Sequence, residues 1–409
     1  MCEILRDVYC DFRTVKNEIL KQKITMNLTK ISITIFTIVI TVAVFSACVK
    51  DPITPKPPDF IDGNSGAIIL CEGRMGLDNA TLTRIDFETG SYSNNYFSES
   101  NNGQKLGDVA NDLIIRYSIG FIAVAGTGTV EVFSMKNGKS LGRIKFPNFV
   151  MPRKMCFIND TVAFITAYIQ FSEMDFFVYK FNPQNLVASQ ENLEQNKILV
   201  GSHPEGITTA NGKLFVVNSG YGDYNLDAPN ASTISVIDIA TFTVIDEIKT
   251  GTNPTKIYSK NNKIYVVCWG SYDQKDKYPS EIIEYDANNL QILRRWKTDV
   301  YDICFDANGD NLYYLNSTLG VNNSENSSAG ISVIALNDAN AQPKLIIENP
   351  NNRDIWTCLA INKHKNELWV GNSFMFNIDG EIMIFDLPNP TSSIKKFKTG
   401  MIPNIIRFY

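Results

Sequence analysis

The chain holds only two histidines among 409 residues, His203 and His364, and just one has an acid close by, in His203-Pro204-Glu205. That pair could serve as acid and base, although a solitary loop histidine is more often simply solvated. Histidine-based metal chemistry has little other material here. Neither His-Glu-x-x-His nor Gly-x-Ser-x-Gly occurs. Gly126-Thr-Gly128 is a lone G-x-G between two strand-like runs, with no helix to present amides to a phosphate, so it reads as a hairpin turn. Asp306-Ala-Asn308-Gly-Asp310 spaces its carboxylates like a calcium loop. Its glycine comes two positions early and no Glu follows at the twelfth position, so it too reads as a turn. The five cysteines Cys71, Cys156, Cys268, Cys304 and Cys358 show no C-x-x-C spacing and sit in apolar runs, as buried thiols do. One disulfide among them is left open.

The abundant residues suit contact better than catalysis. Aromatics make up 11% of the chain and include 17 tyrosines. Lys+Arg number 38 against 43 Asp+Glu, a formal charge of −5. There is no basic surplus to follow a nucleic-acid backbone, so nucleic acid is excluded as a partner. With 44% hydrophobic and 20% charged residues, wholesale disorder and a polytopic membrane protein are excluded as well.

The elements that must position these side chains recur. From residue 66 onward, short β-branched and aromatic runs alternate with Asn, Gly and Asp turns. One unit reads Gly206–Ala210, turn Asn211-Gly212, Lys213–Val217, then Thr233–Asp238 and Thr243–Thr250. The next repeats the order from Gly251. Four strands per unit is the make-up of a propeller blade. Seven second strands mark seven units: Ala67–Cys71, Phe121–Ala125, Val162–Thr166, Leu214–Asn218, Ile264–Cys268, Leu312–Asn316 and Leu368–Asn372, spaced 41 to 56 residues apart. The first unit begins at its second strand, whereas Met401–Tyr409 reads as an innermost strand. The fold expected is therefore an all-β, seven-bladed propeller over residues 66–409, its ring closed by the C-terminal strand completing the first blade. Closure removes free sheet edges, which predicts a monomer.

Connectivity then sorts the loops. Blade-to-blade segments and second-to-third loops share one face, and the hairpins at Asn211-Gly212, Asn261-Asn262 and Asn308-Gly309 occupy the other. The first face carries the long loops, where rigid scaffolds place function. Its candidate ligand-binding residues are Asp108, Asn111, His203, Glu205, Tyr221, Asp223, Tyr224, Trp269, Tyr272, Tyr301, Arg353, Phe374 and Phe376. Together they predict a shallow bowl of flat aromatic faces and polar groups, suited to a broad, amide-bearing ring ligand such as a corrinoid, and less well to an oligosaccharide. The plainer alternative is that such loops are Tyr- and Asn-rich because they are solvated turns.

The N-terminus reads as an address. Residues 31–47 form an uncharged apolar run behind Lys30, the length of a signal-peptide core. Phe45-Ser46-Ala47-Cys48 resembles a bacterial lipoprotein box, with Phe45 in place of the usual Leu. The resemblance implies a signal peptide over 1–47, with Met26 a plausible start, and lipidation at Cys48. Residues 48–65 would be a proline-rich tether. An uncleaved signal anchor is the alternative. Lys50-Asp51 resembles the surface-export signal of Bacteroidetes lipoproteins, which implies an outer-membrane anchor at the cell surface; a periplasmic leaflet is the other option. Asp160-Thr161-Val162 resembles the short O-glycosylation sequence of that bacterial group and reads equally well as a turn.

Strands closed by an acid, as in Ile234-Ser-Val-Ile-Asp238, and turns such as Asp306–Asp310 resemble YVTN/YncE-like repeats. In the first blade, Ile69–Gly73, Asn79–Asp86 and Leu106–Asp112 resemble the DUF5074-type propeller lipoproteins of Bacteroidetes. That set includes surface proteins capturing vitamin B12 beside a transporter. The resemblance implies a non-enzymatic protein that holds cobalamin as a bound ligand, needs no cofactor, and passes the ligand to a TonB-dependent outer-membrane transporter. A structural or protein- or glycan-binding surface propeller is the alternative, and a lactonase-like hydrolase a further one.

Overall fold

A computed structural model describes residues 63, 65–169, 172, 174–186, 190–316, 329–349, 354–387, 390 and 393–409. Cys48 and the expected signal peptide lie outside them, as does the tether apart from Gly63 and Ser65. Among the described residues no helix is long and apolar enough to cross a membrane.

Among the described residues twenty-eight strands, numbered in chain order, form seven four-stranded sheets, so the protein is an all-β seven-bladed propeller. Six blades are consecutive in sequence. They begin with innermost strands β4 (Ala110–Arg116), β8 (Val150–Phe157), β12 (Pro204–Ala210), β16 (Pro254–Lys260), β20 (Asp302–Phe305) and β24 (Trp356–Asn362). The seven expected second strands are present as β1 (Gly66–Cys71), β5 (Ile119–Val124), β9 (Ala163–Ile169), β13 (Lys213–Asn218), β17 (Lys263–Cys268), β21 (Asn311–Asn316) and β25 (Glu367–Asn372). These second strands are apolar on both faces because each is packed by a neighbouring blade on either side; in β13, Leu214 to Asn218 are all buried.

The first blade is assembled from both ends of the domain. Strand β28 (Pro403–Phe408) pairs antiparallel with β1, Ala67 opposite Phe408 and Ile69 opposite Ile406. The Tyr409 carbonyl then accepts the N–H groups of Ser65 and Gly66 at 2.7 and 2.9 Å. Its ring packs where a Cβ on Gly66 would stand, 2.4 Å away, so glycine is required there. Opening the ring therefore breaks a whole strand ladder together with the Tyr409 packing.

Seams between blades are apolar. Phe215 and Val217 of blade four pack with Ile257, Ile264 and Val266 of blade five in one cluster. Each such side chain contributes about 1.5–3 kcal/mol on burial. All five cysteines described are free thiols, four of them buried and Cys304 partly so.

The short-hairpin face matches its turn chemistry. Asn211 and Gly212 have φ of 51° and 75°, and Asn261 and Asn262 have 50° and 61°, the left-handed pair that a two-residue hairpin requires. The turn at Asn308-Gly309 is longer than a two-residue hairpin, spanning 306–310. The Asp306 carboxylate accepts the N–H groups of Gly309 and Asp310 at 2.7 and 2.9 Å, so it caps backbone instead of facing an ion site. Asp160-Thr161-Val162 is likewise a turn, its Thr161 and Val162 N–H groups received by Asn159.

Candidate ligand site

The site is built on a bulge repeated around the ring. Innermost strands β4, β8, β12, β16, β24 and β28 all slip register at their start, next to Ala110, Pro152, Pro204, Pro254, Trp356 and Pro403. The next residues, Asn111, Arg153, Glu205, Thr255, Thr357 and Asn404, occupy the bulges at the top of the channel. Neighbours in this circle bond to one another. Arg153 donates to both oxygens of Glu205 at 2.9 Å and to Asn111 Oδ1 at 2.7 Å. The amides of Asn111 and Asn404 donate to Glu72 at 3.0 and 3.1 Å. Blades one to four are thus joined by side chains from Asn404 through to Glu205.

Burial shapes the protonation of this network. By itself burial would lower Arg153, but Glu205 beside it holds the guanidinium firmly protonated. Glu72, met by neutral amides, is pushed upward by burial, with nearby Arg153 opposing. Lys154, whose ammonium reaches the Asn111 carbonyl, is pushed down by burial.

Above the Arg153–Glu205 pair lies a cavity of about 720 Å³, bounded by long loops of blades four and five. Tyr221, Tyr224, Trp269 and Tyr272 line it, with Asp223, Asn253, Thr255 and Asp273. Its blade-four wall is a run of aromatic rings in tilted contact, continued behind by Phe176 of blade three. His203 lies 4.6 Å from Phe176 and 5.2 Å from Tyr221, and Tyr221 lies 5.4 Å from Tyr224 between ring centroids. On the other side, Trp269 stacks on Tyr301 at 4.7 Å and 14° and donates to its carbonyl at 3.0 Å. The loops are tied together twice: Asp223 accepts the Tyr272 N–H at 2.9 Å, and Tyr278 donates to Asp227 at 2.9 Å. Left-handed glycines at 220, 222 and 270 make the bends at the loop roots.

His203 is a packing group more than a catalytic one. Burial, with Arg153 adding to it, lowers its pKa to about 4, so the ring is neutral at pH 7. Its Nδ1 sits 2.9 Å from the Ser202 hydroxyl.

The candidate residues from the sequence divide accordingly. Glu205, Tyr221, Asp223, Tyr224, Trp269 and Tyr272 converge on the cavity, while His203 and Tyr301 back its aromatic walls. Asn111 reaches it through Arg153. Asp108 instead accepts the Gly76 N–H at 2.8 Å in the link between blades one and two. Phe374 and Phe376, both half-buried with left-handed φ, stand on the blade-seven loop and do not line this cavity. Arg353 lies outside the described residues. Sequence reading missed Arg153. A signal was available, since Pro152-Arg153, Pro204-Glu205, Pro254-Thr255 and Pro403-Asn404 repeat one dipeptide position in four of the innermost strands.

No family model matches the sequence, and no curated relative does either. Solved structures do resemble the fold. A quinonprotein alcohol dehydrogenase-like protein of Bacteroides thetaiotaomicron superposes with a TM-score of 0.59 at 12% identity, covering 85% of this chain and 78% of that one. The periplasmic gluconolactonase of Pseudomonas aeruginosa gives 0.58 at 12%, covering 84% and 98%. Hydrazine synthase of Kuenenia stuttgartiensis gives 0.54 at 12%, covering 70% and 85%. At such identities the likeness shows the propeller alone.

Proposed function

We propose that this chain is a non-enzymatic, lipid-anchored surface propeller that captures a small ring-bearing ligand between blades four and five and passes it to a TonB-dependent outer-membrane transporter. The observation carrying this reading is the cavity in which four aromatic side chains from two blades gather above the Arg153–Glu205 pair. Aromatic planes take ring faces, and the surrounding amides, hydroxyls and carboxylates satisfy a polar periphery. Three carboxylates line the cavity against one guanidinium, which favours an uncharged ring surface over an acidic one. A corrinoid meets this description and agrees with the first-blade resemblance. The anchor rests on the Phe45–Cys48 box.

A hydrolase would need an acid or base free to exchange a proton with substrate. Both Glu205 oxygens face Arg153, and His203 is wedged among aromatic rings with Ser202 at its Nδ1. Those engagements favour holding a ligand over transforming it. Isothermal titration of the full chain with cyanocobalamin tests the reading. Saturable binding, lost in W269A, is expected; no heat at high micromolar ligand would overturn the corrinoid assignment. Turnover of a lactone panel, abolished in H203A, would replace capture by hydrolysis.

A further inference from the structure

Below the cavity runs the central channel, about 510 Å³, and Thr255 lines both spaces. The two differ in charge. Where the cavity is rich in carboxylates, the channel is lined by five cations, Lys154, Lys256, Lys260, Lys363 and Arg407. Three acids face them, and all are engaged. Asp112 accepts the Met155 N–H at 2.7 Å, Asp302 accepts the Tyr258 hydroxyl at 2.6 Å and Lys256 at 2.9 Å, and Asp306 closes its own turn.

Among the described residues, Lys256 alone of the five cations has a carboxylate within ion-pair distance. Lys154 and Lys260 reach the carbonyls of Asn111 and Ala307, and Arg407 those of Leu113 and Ile406. Carbonyl oxygens satisfy N–H geometry but carry no full negative charge, and for Lys154 that comes only from Asp112 and Glu205 beyond ion-pair distance. At the upper end burial is the main influence against the Lys154 charge, Asp112 supports it, and neighbouring Lys256 opposes it. Between cavity and channel, Thr255 is nine-tenths buried, and its hydroxyl has no hydrogen-bond partner among the described residues. A buried hydroxyl left unpaired is costly, so a ligand atom at that position would be favoured.

We propose that the channel is an anion-accepting compartment separate from the aromatic cavity, seating one carboxylate or phosphate group against Lys154 and Lys256 with the Thr255 hydroxyl donating to it. The anion is either free or an acidic arm of a molecule whose ring occupies the cavity above. No bond is made or broken; the anion adds negative charge to a channel whose five cations outnumber its three acids.

The test titrates the full chain with inorganic phosphate, read by calorimetry and by ³¹P linewidth. Saturable binding is expected. T255V, which removes a hydroxyl without a protein partner and so leaves the fold intact, should weaken it about tenfold. K154Q should abolish it, with a thermal melt to establish folding, and the exposed K363Q should weaken it mildly. Y224A, in the cavity, should leave it unchanged. Phosphate that competes with cyanocobalamin identifies the anion as the ligand's arm, and simultaneous binding identifies a free anion. Absence of saturable binding, or equal affinity in wild type, T255V and K154Q, overturns the proposal. Neither result bears on capture in the cavity, which is read with cyanocobalamin.

Discussion

Arg153 and Glu205 face each other across the seam between blades three and four, the guanidinium forking onto both carboxylate oxygens at 2.9 Å beneath the aromatic cavity. Their side chains retain only 18% and 12% of their exposure, so each charge depends on the other for compensation. Removing one partner strands the other. E205A is expected to lower unfolding free energy by about 3 kcal/mol in urea titrations. A loss under about 0.5 kcal/mol would mean the pair is merely a surface contact.

Tyr224 should behave oppositely. At 82% exposure it contributes little to the fold, and Y224A should change stability by less than about 0.5 kcal/mol. As the outermost ring of the tilted Phe176–His203–Tyr221–Tyr224 run, it should nonetheless weaken cyanocobalamin binding about tenfold when truncated. Unchanged affinity would place the ligand elsewhere on the propeller.

Ring closure predicts sensitivity at both chain ends of the first blade. G66A puts a methyl group 2.4 Å from the Tyr409 ring and should cost about 1–3 kcal/mol through overpacking. Y409F keeps the ring but removes the hydroxyl that Arg84 meets at 2.6 Å, costing about 1 kcal/mol. Thermal denaturation of the two variants separates packing from hydrogen bonding; a larger loss in Y409F would reverse that order.

His203 gives stability a pH dependence of known sign. Its folded pKa of about 4 lies below the ordinary value of about 6.5, so between those limits the unfolded chain binds the extra proton. Its contribution is complete above about pH 6.5 and is lost as pH falls towards 4. Because the ring is only half buried, the effect is on the order of 1 kcal/mol after solvent screening. H203N should flatten this part of the melting-temperature profile. A profile as steep as wild type would assign the slope to other groups.

The thiols should be inert in the folded state. Burial raises Cys71 to about 11 and Cys156 to about 12, and it also raises Cys268, Cys304 and Cys358 well above the usual thiol range. Iodoacetamide followed by peptide mass analysis should label none of the five natively and all five in denaturant. Fast native labelling at any one would place that thiol on an opening segment.

The number and order of blades were legible in the sequence because a second strand packed on both faces is apolar on both faces through its middle. Val266-Val267-Cys268 and Leu368-Trp369-Val370 announce themselves without knowledge of their neighbours. The closing role of Met401–Tyr409 was legible too, since a first unit lacking its innermost strand needs one from elsewhere. Part of the candidate cavity's lining was equally visible: Tyr221, Tyr224, Trp269 and Tyr272 stand in loops whose length marks them.

The Pro-x repeat aligns Arg153 and Thr255 but does not reveal their roles, because their importance lies in partners 52 residues away in one case and in the lack of any partner among the described residues in the other. Only the repeat across blades, and nothing within Pro152-Arg153-Lys154 itself, marks the bulge that carries Arg153 to the cavity. Separation of an acidic cavity from a cationic channel is likewise invisible along the chain, where acids and bases are interspersed. Local periodicity determined the strands and their count, since burial acts on each residue through its own alternation. Which charges ended up adjacent was decided only when seven strand ends met around one axis, because Coulomb interaction depends on distance in space and not on position in sequence.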